Sequence, residues 1–224
     1  FRYTHALIDY AAKKGVRIYE HTEMNGHHYD NQQDRMIVST KNGYSIQARH
    51  VIFAAGYEGT EIKQEKMASF VSTFTVTTNP IADLSTWHNR TLIWETARPY
   101  IYMRTTKDNR IIIGGLDDNT NYPEDRDSKL VNKKNQLIEE LNKRFPTINA
   151  QVDFYLTAFY GGIADGIPII GQYEQYPNCY FLFAFGDNGT VYSQTLSKII
   201  AQDIVEGNSP DLALYLQNRP LLKN

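Results

Sequence analysis

The alternation of apolar and polar positions divides the chain into two kinds of segment. Residues 35–40 and 44–48 alternate with a period of two on either side of Lys41-Asn42-Gly43. Asn-Gly between two alternating runs is a strong hairpin signal, because both residues accept the positive φ of a tight turn. Residues 51–56, Val-Ile-Phe-Ala-Ala-Gly, form an apolar run ending on glycine and read as a buried strand. From Ser69 to Gly115 the pattern is antiparallel: residues 70–78, the short 92–94, and 100–104 paired with 110–114 across Lys107-Asp108-Asn109. Side chains alternate across a strand, so Tyr100, Tyr102 and Arg104 fall on one face. Residues 152–159 alternate again, and 179–185 read as a strand buried on both faces.

Helical spacing marks three other segments. Leu7 and Ala11, flanked by Tyr3 and Tyr10, predict a helix capped by Thr4 that ends near Lys14-Gly15, followed by a short strand over 16–20. Leu130, Leu137, Leu141 and Phe145 recur among charges and predict a surface helix over 125–145, stopped by Pro146. Leu196, Ile199, Ile200 and Ile204 predict a last helix of about four turns, with Gly207 and Pro210 as its stop. The order of elements predicts an α+β chain, an α/β part joined to a mixed, mainly antiparallel sheet.

Composition narrows the function classes. The 224 residues carry a formal net charge of -2, and the isoelectric point is about 6.3, so there is no basic surplus for nucleic acid or an anionic membrane surface. No apolar run reaches the roughly 20 residues that span a bilayer. The single cysteine, Cys179, excludes an internal disulfide and is read as a small core residue, which fits a cytoplasmic location. His27-His28 has no ligand-spaced cysteine or carboxylate nearby, so it is read as an exposed loop and no metal is expected. No Gly-x-Ser-x-Gly or Walker loop occurs.

The chemistry concentrates in residues 159–204. Gly161-Gly162-Ile163-Ala164-Asp165-Gly166-Ile167-Pro168-Ile169-Ile170-Gly171 precedes a strand, the turn Gly186-Asp187-Asn188-Gly189-Thr190, and a helix. A strand, a glycine turn and a helix in that order let backbone N–H groups and a helix N-terminus face a negatively polarised ligand. Such turns also join strands to helices in many α/β proteins without binding anything.

The Gly-Gly-x-x-Asp-Gly-x-Pro-x-x-Gly run with its glycine turn resembles the C-terminal signature of the D-amino acid oxidase-like FAD-dependent oxidoreductases, which include glycine oxidase and sarcosine oxidase. The Val-Ile-x-Ala-x-Gly element at 51–56 and the helix, glycine and extended segment before His21-Thr22-Glu23-Met24 extend the likeness over most of the chain. The resemblance implies FAD as cofactor and a discontinuous flavin part, residues 1–60 and 160–224, with a substrate domain at 61–159. It places Gly186, Asp187, Asn188, Gly189 and Thr190 at the flavin ring through their backbone, Met24 at the adenine edge and Gly56 beside the cofactor. Met24 can also be read, with less weight, as a packing residue at a strand end. Tyr100, Tyr102 and Arg104 would hold the substrate, a small amine or amino acid that loses a hydride to flavin N5; the competing reading is a solvent-facing amphipathic strand.

Three departures qualify these expectations. Nothing in residues 1–50 matches the Gly-x-Gly-x-x-Gly turn that seats the FAD pyrophosphate, so such a unit is expected before Phe1, and without it FAD should bind poorly. Ile163-Ala164 stands where amino acid oxidase relatives carry an arginine, so Arg104 or Arg98 would substitute, or the substrate lacks an α-carboxylate. Thr190-Val191 stands where sarcosine oxidase relatives carry a lysine linked to oxygen activation. Two other classes stay open: a non-catalytic binding or assembly module, and a related dehydrogenase acting on a hydroxyl substrate.

Overall fold

The computed structural model describes residues 1–220 apart from Arg98 and Asn121. The chain divides into two compact units, one of Phe1–Phe53 with Gln172–Tyr180 and one of Ala54–Gly171 with Phe181–Asn224.

The first unit opens with α1 (Arg2–Lys13), which starts two residues before Thr4 and buries none of its side chains. Leu7, expected on a buried face, is 42% exposed. Residues 16–19 are not a strand: they run as exposed coil, because β-branched residues without a neighbouring strand gain no ladder hydrogen bonds. The strands are β1 (Met24–Asp30), β2 (Arg35–Thr40) and β3 (Ser45–Ala48), an antiparallel sheet in that order. The expected hairpin closes over Gly43 at φ 81°, with Thr40 N–H donating to Tyr44 O at 2.9 Å. His27 and His28 are not in a loop: they pair with Val38 and Ile37. The His27 ring rests on Phe53 and Tyr176 at 5.7 and 5.4 Å, a gain in apolar contact that an exposed loop would forgo. β4 (Val51–Phe53) is shorter than the apolar run that announced it.

The second unit is built on an antiparallel sheet whose order is β6 (Ile93–Trp94), β7 (Ile101–Thr105), β8 (Ile111–Asp118), β5 (Ser69–Thr78) and β9 (Val152–Gly162). Before it come Gly56–Glu58 and the one-turn α2 (Gly59–Ile62). One sheet face packs on α3 (Pro123–Arg144), whose Leu137 and Leu141 are fully buried among Phe74, Val76, Ile101, Met103, Ile111 and Ile113. Trp87 stacks on Phe145 at 4.5 Å beneath the same core. At about 1.5–3 kcal/mol for each large apolar side chain, this layer is the main source of the unit's stability. The other sheet face carries Tyr102, Arg104, Thr73, Thr75 and Tyr160, positions opposite in register or alternating with the core residues. β10 (Ile169–Gly171) pairs with Phe181–Phe183 of β11 (Cys179–Phe183), and α4 (Gly189–Glu206) follows, ended by Gly207 at φ 74°.

No helix among the described residues is long and apolar enough to cross a membrane. None of their His, Cys, Asp and Glu side chains form a group of three or more that could hold a metal ion.

Candidate functional site

The glycine turn is anchored by one phenol. Tyr57 Oη lies 3.0 Å from Gly161 O and 2.8 Å from Gly186 O, and Gly186 N–H also donates to Gly161 O at 2.9 Å. The Tyr57 ring packs on Phe185 at 4.9 Å and Phe159 at 5.7 Å. A Cβ on Gly161 would sit 2.9 Å from the Phe70 ring and 3.1 Å from the Tyr57 ring, so only glycine lets these layers close. Burial, with the Asp187 charge beside it, pushes the Tyr57 pKa above its usual value, so the hydroxyl stays a donor.

Beyond that anchor the turn is open. Gly186 has φ 59°, a conformation that strains any L side chain. Asn188 is the N-cap of α4 and makes no side-chain cap bond, so the first-turn N–H groups of Gly189 and Thr190 keep their donor capacity. A turn with free donors at a helix N-terminus suits the electron-rich edge of a flavin, and the residues present fit that group. Gly56 belongs to the same unit, at φ 61°, one residue before the Tyr57 anchor. Met24 lies in the other unit, as the first residue of β1.

The expected substrate face exists in part. Tyr100 is buried at 5% exposure just before β7, and its ring lies 6.2 Å from Tyr102 and 5.7 Å from Trp94. Tyr102 lies over its cross-strand partner Gly114: a Cβ there would come within 2.3 Å of the phenol oxygen. Arg104 is exposed on the same face, opposite Ile112. Arg98 lies outside the described residues.

The sequence reading named Tyr100 and Asp187 but not their pairing, and it missed Asp117, Tyr160 and Arg219. Tyr100 Oη donates to Asp187 Oδ2 at 3.1 Å, and Tyr160 Oη donates to Asp117 Oδ2 at 2.8 Å. Burial raises both phenol pKa values, and the neighbouring carboxylates add to the effect. Arg219, only 3% exposed, grips both oxygens of Asp165 at 2.8 Å and donates to four backbone carbonyls, those of Ile167, Pro168, Tyr215 and Leu216. This fork holds the Asp165 carboxyl below its usual pKa range and fixes the Asp-Gly-x-Pro turn. Each pair joins residues more than 40 positions apart, and no local signal in the sequence links them.

A family model described as FAD dependent oxidoreductase (DAO) matches residues 1–203. No curated protein matches the chain. Among solved structures, L-proline dehydrogenase from P. horikoshii is 19% identical, with a TM-score of 0.69 over 93% of this chain and 56% of that one. Glycine oxidase from Geobacillus kaustophilus is 20% identical, with a TM-score of 0.65 over 93% and 55%. L-Amino acid deaminase from Proteus myxofaciens, in complex with anthranilate, is 16% identical, with a TM-score of 0.70 over 96% and 59%. The chain therefore spans a little over half the length of these structures.

Proposed function

The chain belongs to the DAO family of FAD-dependent oxidoreductases, and from that premise we propose that its protein oxidises the C–N bond of a small amine or amino acid. FAD, when bound, supplies the two-electron acceptor for the hydride leaving the carbon beside the amine nitrogen. The observation that carries the reading is the pairing, in one unit, of the donor-rich turn at Gly186–Thr190 with the Tyr100 phenol through Asp187. Backbone N–H groups of Asp187, Asn188, Gly189 and Thr190 would hold the flavin edge, while Gly56 and Met24 would contact other parts of the cofactor. Residues 1–60 and 160–224 would form the flavin part, and 61–159 the substrate domain. Tyr100, Tyr102 and Arg104 would orient the substrate; with positioning and a strong acceptor, no dedicated protein base is required. The solved neighbours are oxidases, dehydrogenases and deaminases of amino compounds by their descriptions, which favours an amine over a hydroxyl substrate.

The test is anaerobic mixing of the FAD-loaded protein, expressed from its complete reading frame, with a panel of primary and secondary amines, amino acids and 2-hydroxy acids. Bleaching of the flavin by amino compounds is the expected result. Bleaching confined to hydroxy acids would sink the reading.

A further inference from the structure

The Tyr57 hydroxyl meets two backbone carbonyls with a single proton, Gly186 O at 2.8 Å and Gly161 O at 3.0 Å. A trans peptide points its carbonyl and its N–H in opposite directions. Gly186 O faces the phenol, so the N–H of the same peptide, that of Asp187, points away from it. No acceptor among the described residues takes that N–H, and both Asp187 and Asn188 are exposed. The bond from Gly186 N–H to Gly161 O, at 2.9 Å, fixes the peptide before Gly186 but not the one after it. Gly186 adds no stiffness of its own: at φ 59° and without a Cβ, it lets the following peptide rotate. The phenol, by contrast, is held on several sides. Its ring packs against Phe70, Phe159 and Phe185, and Thr60 Oγ1 donates to Tyr57 O at 2.7 Å.

We infer that Tyr57 is a positioning residue for the flavin: its hydroxyl fixes the plane of the Gly186–Asp187 peptide and so aims the Asp187 N–H out of the turn, as a donor to the cofactor's electron-rich edge. The inference rests on the reading of residues 186–190 as the flavin turn, and it deepens that reading by assigning the group that sets the donor's direction. A donor fixed in advance needs no reorganisation when that edge gains negative charge on reduction, so it favours the reduced cofactor over the oxidised one. Burial keeps the phenol protonated at neutral pH, so the hydroxyl remains available to both carbonyls.

Tyr57→Phe removes the hydroxyl and keeps the ring that packs on Phe159 and Phe185, so the fold is retained at the loss of one hydrogen-bonding group. The protein, expressed from its complete reading frame, is loaded with FAD and its midpoint potential is measured. In Tyr57→Phe the preference for reduced over oxidised flavin should fall about tenfold, which lowers the potential of a two-electron couple by about 30 mV. Leu137→Ala, a larger loss of packing on the α3 face of the sheet, should leave that preference within about twofold of the parent. A second arm uses no flavin. In the same protein freed of FAD and carrying isotopically labelled aspartate, the Asp187 amide is the resonance that Asp187→Asn deletes. That resonance should shift or broaden in Tyr57→Phe. Either an unmoved amide or an unchanged flavin preference in Tyr57→Phe would overturn the inference and leave Tyr57 with a packing role alone. Because neither readout uses an amine, the inference can stand where amine turnover fails, and turnover can stand where the inference fails.

Discussion

Asp117 and Asp118 are neighbours in sequence, lie on opposite faces of β8, and are treated in opposite ways. On the helix-covered face, Lys129 and Lys133 each approach Asp118 to 3.2 Å, and Lys133 also donates to Leu116 O. On the uncovered face Asp117 accepts from the Tyr160 hydroxyl, and its second oxygen is buried with no hydrogen-bond partner among the described residues. Each carboxylate keeps one buried oxygen outside any hydrogen bond among the described residues, but that of Asp118 lies 3.2 Å from the Lys129 ammonium, whereas no ion pair among the described residues reaches Asp117. In a stable protein an unsatisfied buried group stands out, and the natural places for one are sites that a ligand completes. The same division holds for the whole sheet: stability concentrates on the α3 face, and acceptors and phenols on the other.

The sharpest way to break the comparison is to remove packing from the covered face. Leu137 and Leu141 are fully buried, so Leu137→Ala and Leu141→Ala should each cost about 3 kcal/mol, read as a lower urea midpoint at unchanged slope. Reduction of the flavin by amino compounds, followed in the FAD-loaded protein where each variant remains folded, should barely change. A loss confined to that reduction with no loss of stability would show that the two faces are not separate in role.

Gly114 tests the uncovered face itself. Gly114→Ala places a methyl group where the Tyr102 ring lies, and the ring must swing away. The expected cost is about 1–2 kcal/mol, since the clash falls on the movable end of a side chain rather than on backbone. Tyr102→Ala in the same background should recover part of it in a double-mutant cycle.

Much of this sheet was legible in the sequence and its site was not, for one physical reason. The β-branched run from Ile111 to Ile113 is plain, as are the Asn42-Gly43 hairpin and the Leu137/Leu141 stripe of α3, because each is a local pattern. Past Gly114 the strand bulges, with Gly115 at φ 131° and Leu116 at φ 55°, and the register against β5 shifts. A strict period of two would send Asp117 to the core and Asp118 outward. The bulge reverses them, so Leu116 packs on the core, Asp118 reaches α3 and Asp117 reaches Tyr160. The Tyr57 anchor was equally hidden, because its partners lie 104 and 129 positions away. Residues 16–20 failed in the other direction: their composition suits a strand, but no strand among the described residues pairs with them.

The two aspartates should also differ in pH behaviour. Burial works to raise the Asp118 pKa, but Lys133 and Lys129 more than offset it, and the net shift is downward. A depressed folded pKa gives stability that is present above the unfolded carboxylate value of about 3.9 and is lost as pH falls through the folded value. Asp118→Asn should therefore cost about 1 kcal/mol at neutral pH, a modest figure because the pair is partly solvated, and the gap to the parent should close below about pH 4. Unfolding curves at several pH values check this; a gap that widens in acid would reverse the assignment.

Arg104 should give the smallest effect on stability and the finest division of the uncovered face. It is exposed, so Arg104→Ala should shift unfolding free energy by less than about 0.5 kcal/mol. Its role in substrate binding is read separately. If Arg104 holds a substrate carboxylate, Arg104→Ala in the FAD-loaded protein should raise the KM for amino acids about tenfold and leave that for amines without a carboxylate within about twofold. Equal losses for both kinds of substrate would mean that Arg104 acts through the fold of β7 rather than through contact, and the uncovered face would not anchor a carboxylate at that position.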